Sequence, residues 1–370
     1  MGRQNARRMG MFWVWMLMGG MLAATGWGAQ PATQEAKGAR TPQQIMGELG
    51  VTSAALRQAL GSADVLFDEA QRAEVAPKAI GPMKKMLALI DELVESQPMA
   101  KVQLGTARMQ FLSMLALMGD GEAVAKLEED AKGADAEAAA TAKGAQLLVQ
   151  WWKTAKDAVE QGKVIDELQG LVKASGQNSG VANAVLLARQ RGAANEQLKG
   201  RIEQIILEDL KSEAAGEVAE EIRAERKRKG LEGKELVIEG TKLDGTKFST
   251  AEWKGKVILV DFWASWYRPS VQELPRLKRV YADYHAKGLE IVGVSCDRAE
   301  PELLKFLMGN ADMPWPQLFD KGGSGYHPVA KQCGVTEIPA RFLIDRKGVV
   351  RSVDARENYE ALIAKMLEEK

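Results

Sequence analysis

The chain has 370 residues, a length that suggests two domains rather than one. Lys plus Arg and Asp plus Glu are 50 each, so the net charge is near zero, and no overall basic field exists to hold nucleic acid. Apolar residues at 46% are enough for ordinary cores.

The first 28 residues read as a secretory signal. Arg3, Arg7 and Arg8 form a positive region, Met11 to Leu22 an apolar run, and Ala23, Ala24, Gly26 and Gly28 a small-residue site, with cleavage expected near Gly28. The run is short for a transmembrane span. An uncleaved anchor is the alternative, and membrane association would follow only from that. No cysteine lies near the site, which excludes a lipoprotein anchor. The expected location is therefore periplasmic or extracellular in a bacterium, where disulfides persist. Cys296 and Cys333 are the only cysteines, so at most one intramolecular disulfide can form.

Residues 29–42 read as a flexible leader rich in Ala, Gln, Thr, Pro and Gly. Residues 43–228 read as a helical domain, an antiparallel bundle or an α-solenoid. Strong helix formers dominate, and Met83, Met86, Leu87, Ile90 and Leu93 recur at helical spacing. Breaks are expected at Pro77, Gly81 and Pro82, at 96–98, at 119–121, and near Gly133, 175–180 and Gly192. No fixed repeat period emerges. Trp151 and Trp152 are adjacent and so point about 100 degrees apart on a helix. One is expected in the core and the other against a neighbouring element. Arg226 to Lys229 make a basic cluster that suits a helix C-terminus, and 229–234, with Gly230 and Gly233, reads as a linker.

From 235 the periodicity changes. A hairpin is expected over 236–248 around Asp244-Gly245. Buried strands follow at 257–262 and 289–295, with helices at 270–286 and 300–309. A short strand over 316–319 and a short helix over 327–333 precede two strands, 341–344 and 349–353, joined by a turn at 345–348. Residues 357–368 form a closing helix. This alternation describes a mixed sheet covered by helices on both faces.

The motifs VDFWASW, Pro269, Glu273-Leu-Pro275 and GVTEIPARFLIDRKG over 334–348 together resemble the thioredoxin-like TlpA/ResA family of exported thiol-disulfide oxidoreductases. The resemblance covers residues 235–370. It implies an α/β thioredoxin-like domain with a central mixed sheet. It also implies a cis Pro339 after Ile338, a buried acid at Asp261 beneath the active site, and an acid at Glu273 that tunes thiol acidity. The plain structural alternatives are a hydrogen-bonded strand residue for Asp261 and a solvated helix residue for Glu273.

The family's Trp-Cys-x-x-Cys is here Trp266-Tyr267-Arg268-Pro269-Ser270. A thiolate at a helix N-terminus attacks a disulfide and a second thiol resolves the mixed disulfide. A phenol with an ordinary pKa of about 10 forms no sulfur–sulfur bond, and Ser270 resolves none. A serine hydrolase at Ser270 would need a base, yet His285 lies roughly 20 Å along the helix. His327 is the one histidine that could approach the active-site face. Cys296 and Cys333 lie near the C-terminal edge of the sheet, on the same side as the active-site turn. Three readings stay open for them: buried free thiols, a structural disulfide, or a relocated redox pair. No metal site, phosphate loop or cofactor site stands out.

The residues thus point to an exported, redox-degenerate domain that binds protein or peptide. Trp266, Tyr267, Arg268, Pro269, Ile338 and Pro339 would line its groove. The alternative is a thiol-disulfide oxidoreductase using Cys296 and Cys333.

Overall fold

The structure is a computed structural model that describes residues 40–97, 100–322, 326–356 and 358–369. The signal segment, all but the last three residues of the leader, and Gly323 to Gly325 lie outside the described residues. The chain divides into two compact units between Ala219 and Glu220.

The first unit is helical. Its helices are α1 (Pro42–Leu60), α2 (Glu69–Ser96), α3 (Ala100–Leu117), α4 (Gly121–Asp130), α5 (Ala136–Lys153), α6 (Ala158–Ser175), α7 (Ser179–Gln190) and α8 (Glu196–Glu208). Short polar residues start most of them. Asp68, Asp120, Asp135, Asp157, Asn178 and Asn195 each accept a first-turn amide, as N-caps do. Thr41 and Gln44 close a capping box on α1. The main contacts run between helices one or two apart in sequence, α1 on α2, α2 on α3, α3 on α5, α5 on α7 and α6 on α8. That is the stacking of a solenoid rather than closure into a bundle.

One expectation is corrected here. Pro77 and Pro82 do not break the chain; both lie inside α2. The carbonyls left without an amide partner are those of Ala73 and Lys78, and both residues are exposed, so water can satisfy them. The opposite face buries Ala79, Met83, Met86, Leu89, Ile90 and Leu93, and that burial outweighs the lost bonds. Trp151 is fully buried and donates Nε1 to the Arg191 carbonyl at 2.8 Å, while Trp152 packs edge-on against Phe67 at 5.0 Å.

The second unit holds a five-stranded sheet. Its strands are β3 (Val257–Trp263), β4 (Leu289–Ser295), β5 (Gln317–Leu318), β6 (Ala340–Ile344) and β7 (Val350–Ser352); β1 (Glu239–Thr241) and β2 (Lys247–Ser249) form a separate hairpin. The order is β5-β4-β3-β6-β7, with β3, β4 and β5 parallel and β6 and β7 antiparallel to their neighbours. Strand alternation sends side chains to two cores. Val260, Phe262, Val294, Cys296 and Cys333 share one face. Leu259, Trp263, Leu343, Leu274 and Tyr359 share the other. The helices are α10 (Arg268–Tyr284), α11 (Glu300–Met308), α12 (Pro328–Gln332) and α13 (Tyr359–Glu368), and α9 (Glu213–Lys229) carries the boundary between the units.

The segment 229–234 differs from a free linker. Gly233 donates to the Val350 carbonyl, Val350 donates back to Lys234, and Glu232 accepts from the Val353 amide at 3.1 Å. Upstream of it, α9 approaches the loop before β6 so closely that a Cβ on Gly334 would lie 2.4 Å from the Ala224 carbonyl oxygen.

Candidate functional site at the start of helix α10

Strand β3 is buried at every position, and its apolar run carries the chain to the C-terminal end of the sheet. The turn that follows is held by Asp297. Its carboxylate accepts the Ser265 amide at 3.1 Å, the Ser265 hydroxyl at 2.6 Å and the Ser295 hydroxyl at 2.7 Å. Tyr267 then stands at the N-cap of α10 and makes no side-chain cap bond, and Pro269 occupies the first turn, where its missing amide costs nothing.

Trp266 is 60% exposed and sets its ring against Tyr267 in an edge-on pair at 5.7 Å. Arg268 is exposed and Pro269 half-buried. Phe262 of β3 pairs with Ala340 of β6, so the turn after β3 and the segment before β6 meet at the same end of the sheet. The Ile338–Pro339 bond in that segment is cis, and both residues are half-buried. Tyr267, Ile338 and Tyr326 pack against the same core. Tyr326 donates its hydroxyl to the Thr336 carbonyl, and burial pushes that phenol up to about 12. The structure thus brings Tyr267 and Ile338 to one core at the same end of the sheet, with Trp266, Arg268 and Pro269 adjacent to Tyr267 in the chain and Pro339 adjacent to Ile338.

Beneath the helix lies a second cluster. Asp261 and Arg341 are partners across the β3–β6 ladder. They point to the face that carries α10 and α13. Arg341, 1% exposed, donates Nε to Asp261 at 3.0 Å and Nη1 to Glu273 at 3.2 Å. Its guanidinium carbon sits 5.0 Å from the centre of the Tyr359 ring, and that of Arg276 lies 4.4 Å from the same centre. Arg276 reaches Glu360 at 3.6 Å. Burial raises the pKa of the Asp261 carboxyl and the Arg341 charge opposes that rise. Burial likewise pushes Tyr359 up to about 12. Ser270 is also buried, with an Oγ that has no hydrogen-bond partner among the described residues.

The two thiols lie elsewhere. Cys296 and Cys333 are buried and form no disulfide, on the sheet face opposite Asp261. Burial pushes each to about 11. The histidines are committed too. His327 is buried, and its Nδ1 accepts the Val329 amide at 3.2 Å as the cap of α12. His285 stacks on Tyr281 at 4.4 Å. Ser270 therefore has no base hydrogen-bonded to it among the described residues.

Arg341, Asp297 and Tyr326 were not singled out by the sequence reading. Arg341 had a visible signal, a charge inside a strand whose other residues are apolar. Asp297 and Tyr326 had none, since each acts through a turn formed by distant chain.

Residues 233–353 match the family model described as AhpC/TSA. The thiol-disulfide oxidoreductase ResA of Bacillus thuringiensis subsp. konkukian is 31% identical over 134 residues, which is 36% of this chain and 73% of that protein. The thioredoxin-like protein YneN of Bacillus subtilis is 32% identical over 114 residues, 30% of this chain and 63% of that protein. Among solved structures, the thioredoxin domain of a thiol-disulfide oxidoreductase from Bacteroides vulgatus is 27% identical, with 36% of this chain and 97% of that chain covered and a TM-score of 0.32.

Proposed function

Through residues 233–353 the chain belongs to the AhpC/TSA family of thioredoxin-like proteins, with ResA thiol-disulfide oxidoreductases among its relatives, and on that premise we propose an exported, redox-degenerate member that binds extended polypeptide. The observation that carries this reading is the start of α10. A phenol, Tyr267, stands at the N-cap and a buried hydroxyl, Ser270, in the first turn, where thiol exchange would need two sulfurs. What the turn offers instead is two aromatic rings, Trp266 and Tyr267, set edge-on to each other, beside the exposed Arg268 and at the same end of the sheet as Ile338 and Pro339. Aromatic faces bind chain segments with little loss of side-chain entropy. Main chain before β6 offers an edge to an extended ligand, and Arg268 favours acidic sequences.

Cys296 and Cys333 are poor candidates for a relocated dithiol. With a pKa of about 11, each would be thiolate in only about one molecule in ten thousand at pH 7.

The test is binding of a labelled, reduced and carboxymethylated polypeptide, which is unfolded and acidic, to the full chain by fluorescence anisotropy. Trp266→Ala and Tyr267→Ala should each weaken binding by about tenfold, and Arg268→Glu should weaken it most at low salt. Equal affinity in all three variants, or no binding by the wild type, rejects the reading. Insulin reduction by the wild type that disappears in Cys333→Ser would establish the oxidoreductase instead.

A further inference from the structure

The helical unit has a groove of its own, about 340 Å³ in volume, between the first turns of α6 and α8. Fully buried Gln161 holds those turns in place. Its Nε2 donates to the Trp151 carbonyl at 3.0 Å and to the Gly192 carbonyl, and its Oε1 accepts the Ala194 amide at 2.8 Å. These bonds tie α6 to the end of α5 and to the loop that leads into α8, so the groove is formed before any ligand arrives. Toward the helix starts its lining is apolar. Val159, 71% exposed, lines it together with the buried Leu198. About two turns further along α6, Asp166 accepts Nη2 of Arg201 from α8, and this bridge crosses from one wall to the other.

Arg201 commits one nitrogen to that bridge. Its Nε and Nη1 have no hydrogen-bond partner among the described residues. The guanidinium lies beside Gly162, where a Cβ would stand 3.6 Å from Nη1. Lys163 adds a second cation to the lining. Its own partner is Glu160 of the same helix at 2.6 Å, an exposed contact that solvent screens. Asn195 uses its Oδ1 to accept the Leu198 amide at 2.9 Å, which leaves its amide nitrogen to donate. The lining therefore sets two cations and an amide donor against one carboxylate, next to an exposed aliphatic side chain. A guanidinium carries several N–H donors in a fixed fork, so a single bridge leaves donors for a second carboxylate. An aliphatic group attached close to that carboxylate would cover Val159 and remove it from water. The last residue of a polypeptide joins the two within one amino acid. An acidic side chain in mid-chain fits less well, because the running chain would have to pass the Arg201–Asp166 bridge.

We propose that this groove binds the free C-terminus of a polypeptide ending in an aliphatic residue, with Arg201 and Lys163 on the carboxylate and Val159 against the side chain. The inference is independent of the turn before α10 and gives the helical unit a ligand of its own. The experiment titrates the full chain into a short dye-labelled glycine-serine peptide that ends in leucine with a free carboxylate, followed by fluorescence anisotropy. Two further probes are the same peptide as its C-terminal amide and an amidated peptide with one internal glutamate. The free acid should bind at least about tenfold more tightly than either. Arg201→Gln should weaken it by about tenfold. Gly162→Leu should weaken it at least as much while melting no lower, because the position has room for a Cβ and leucine favours a helix interior over glycine. Equal affinity for acid and amide, equal affinity for the internal glutamate, wild-type affinity in Gly162→Leu, or no saturation at millimolar protein overturns the proposal. Should Arg201→Gln lose its fold, Gly162→Leu decides the question. Only the signal lost in Gly162→Leu is scored, so failure here is distinct from failure of the peptide-binding reading at α10.

Discussion

Arg341 and Asp261 face each other across the β3–β6 ladder as a buried ion pair, Nε to Oδ1 at 3.0 Å, with both side chains at most 2% exposed. Two charges in the centre of a sheet are costly to desolvate, so each depends on the other. Glu273, whose side chain is 36% exposed, adds a bond that solvent screens.

Arg341→Met should therefore destabilise the second unit by about 3–5 kcal/mol, the usual result of stranding one member of a buried pair. Glu273→Gln should cost under about 1 kcal/mol. Urea unfolding followed by tryptophan fluorescence measures both, and equal effects would contradict the ranking. Half of this pair was legible beforehand. Asp261 stood out as an acid within an apolar run, but its partner lies 80 residues away in sequence. The pairing register that brings them together is a tertiary fact.

His327 gives the fold a pH limit. Burial holds its pKa below the ordinary value of 6.5, and Asp320 pulls weakly the other way. A folded pKa below the unfolded one means the contribution is fully present above about pH 6.5 and is lost as pH falls through the folded value. Protonation also removes the Nδ1 acceptor that caps α12. The melting temperature should fall more steeply below pH 6 in the wild type than in His327→Asn, which keeps a cap without titrating. Parallel profiles would remove His327 from the acid response.

Cys296 and Cys333 should both be silent to a thiol reagent in the native protein and both react in denaturant, without any reductant. Burial and a pKa of about 11 act in the same direction. Fewer than two thiols in unreduced, denatured protein would reveal a disulfide.

Pro77→Ala and Pro82→Ala should each raise the stability of the helical unit, by up to about 3 kcal/mol. Each restores an amide donor inside α2 without disturbing the buried face. Thermal unfolding followed at the helical signal tests this, and a loss of stability would mean the prolines shape the helix.

The sequence by itself determined the order of elements in the second unit, because apolar runs, Gly turns and helix caps are local. It also determined that the turn before α10 holds no sulfur, which is a matter of composition alone. Tertiary structure decided the rest. It kept α2 whole across two prolines, since burial of one face outweighs two lost amides facing water. It drew 229–234 into the sheet edge by pairing with β7. It put the two thiols and Asp261 on opposite faces of the sheet, because strand parity and register together decide which side chains meet. Above all it set Arg341 against Asp261, a contact between residues whose local patterns carry no sign of each other.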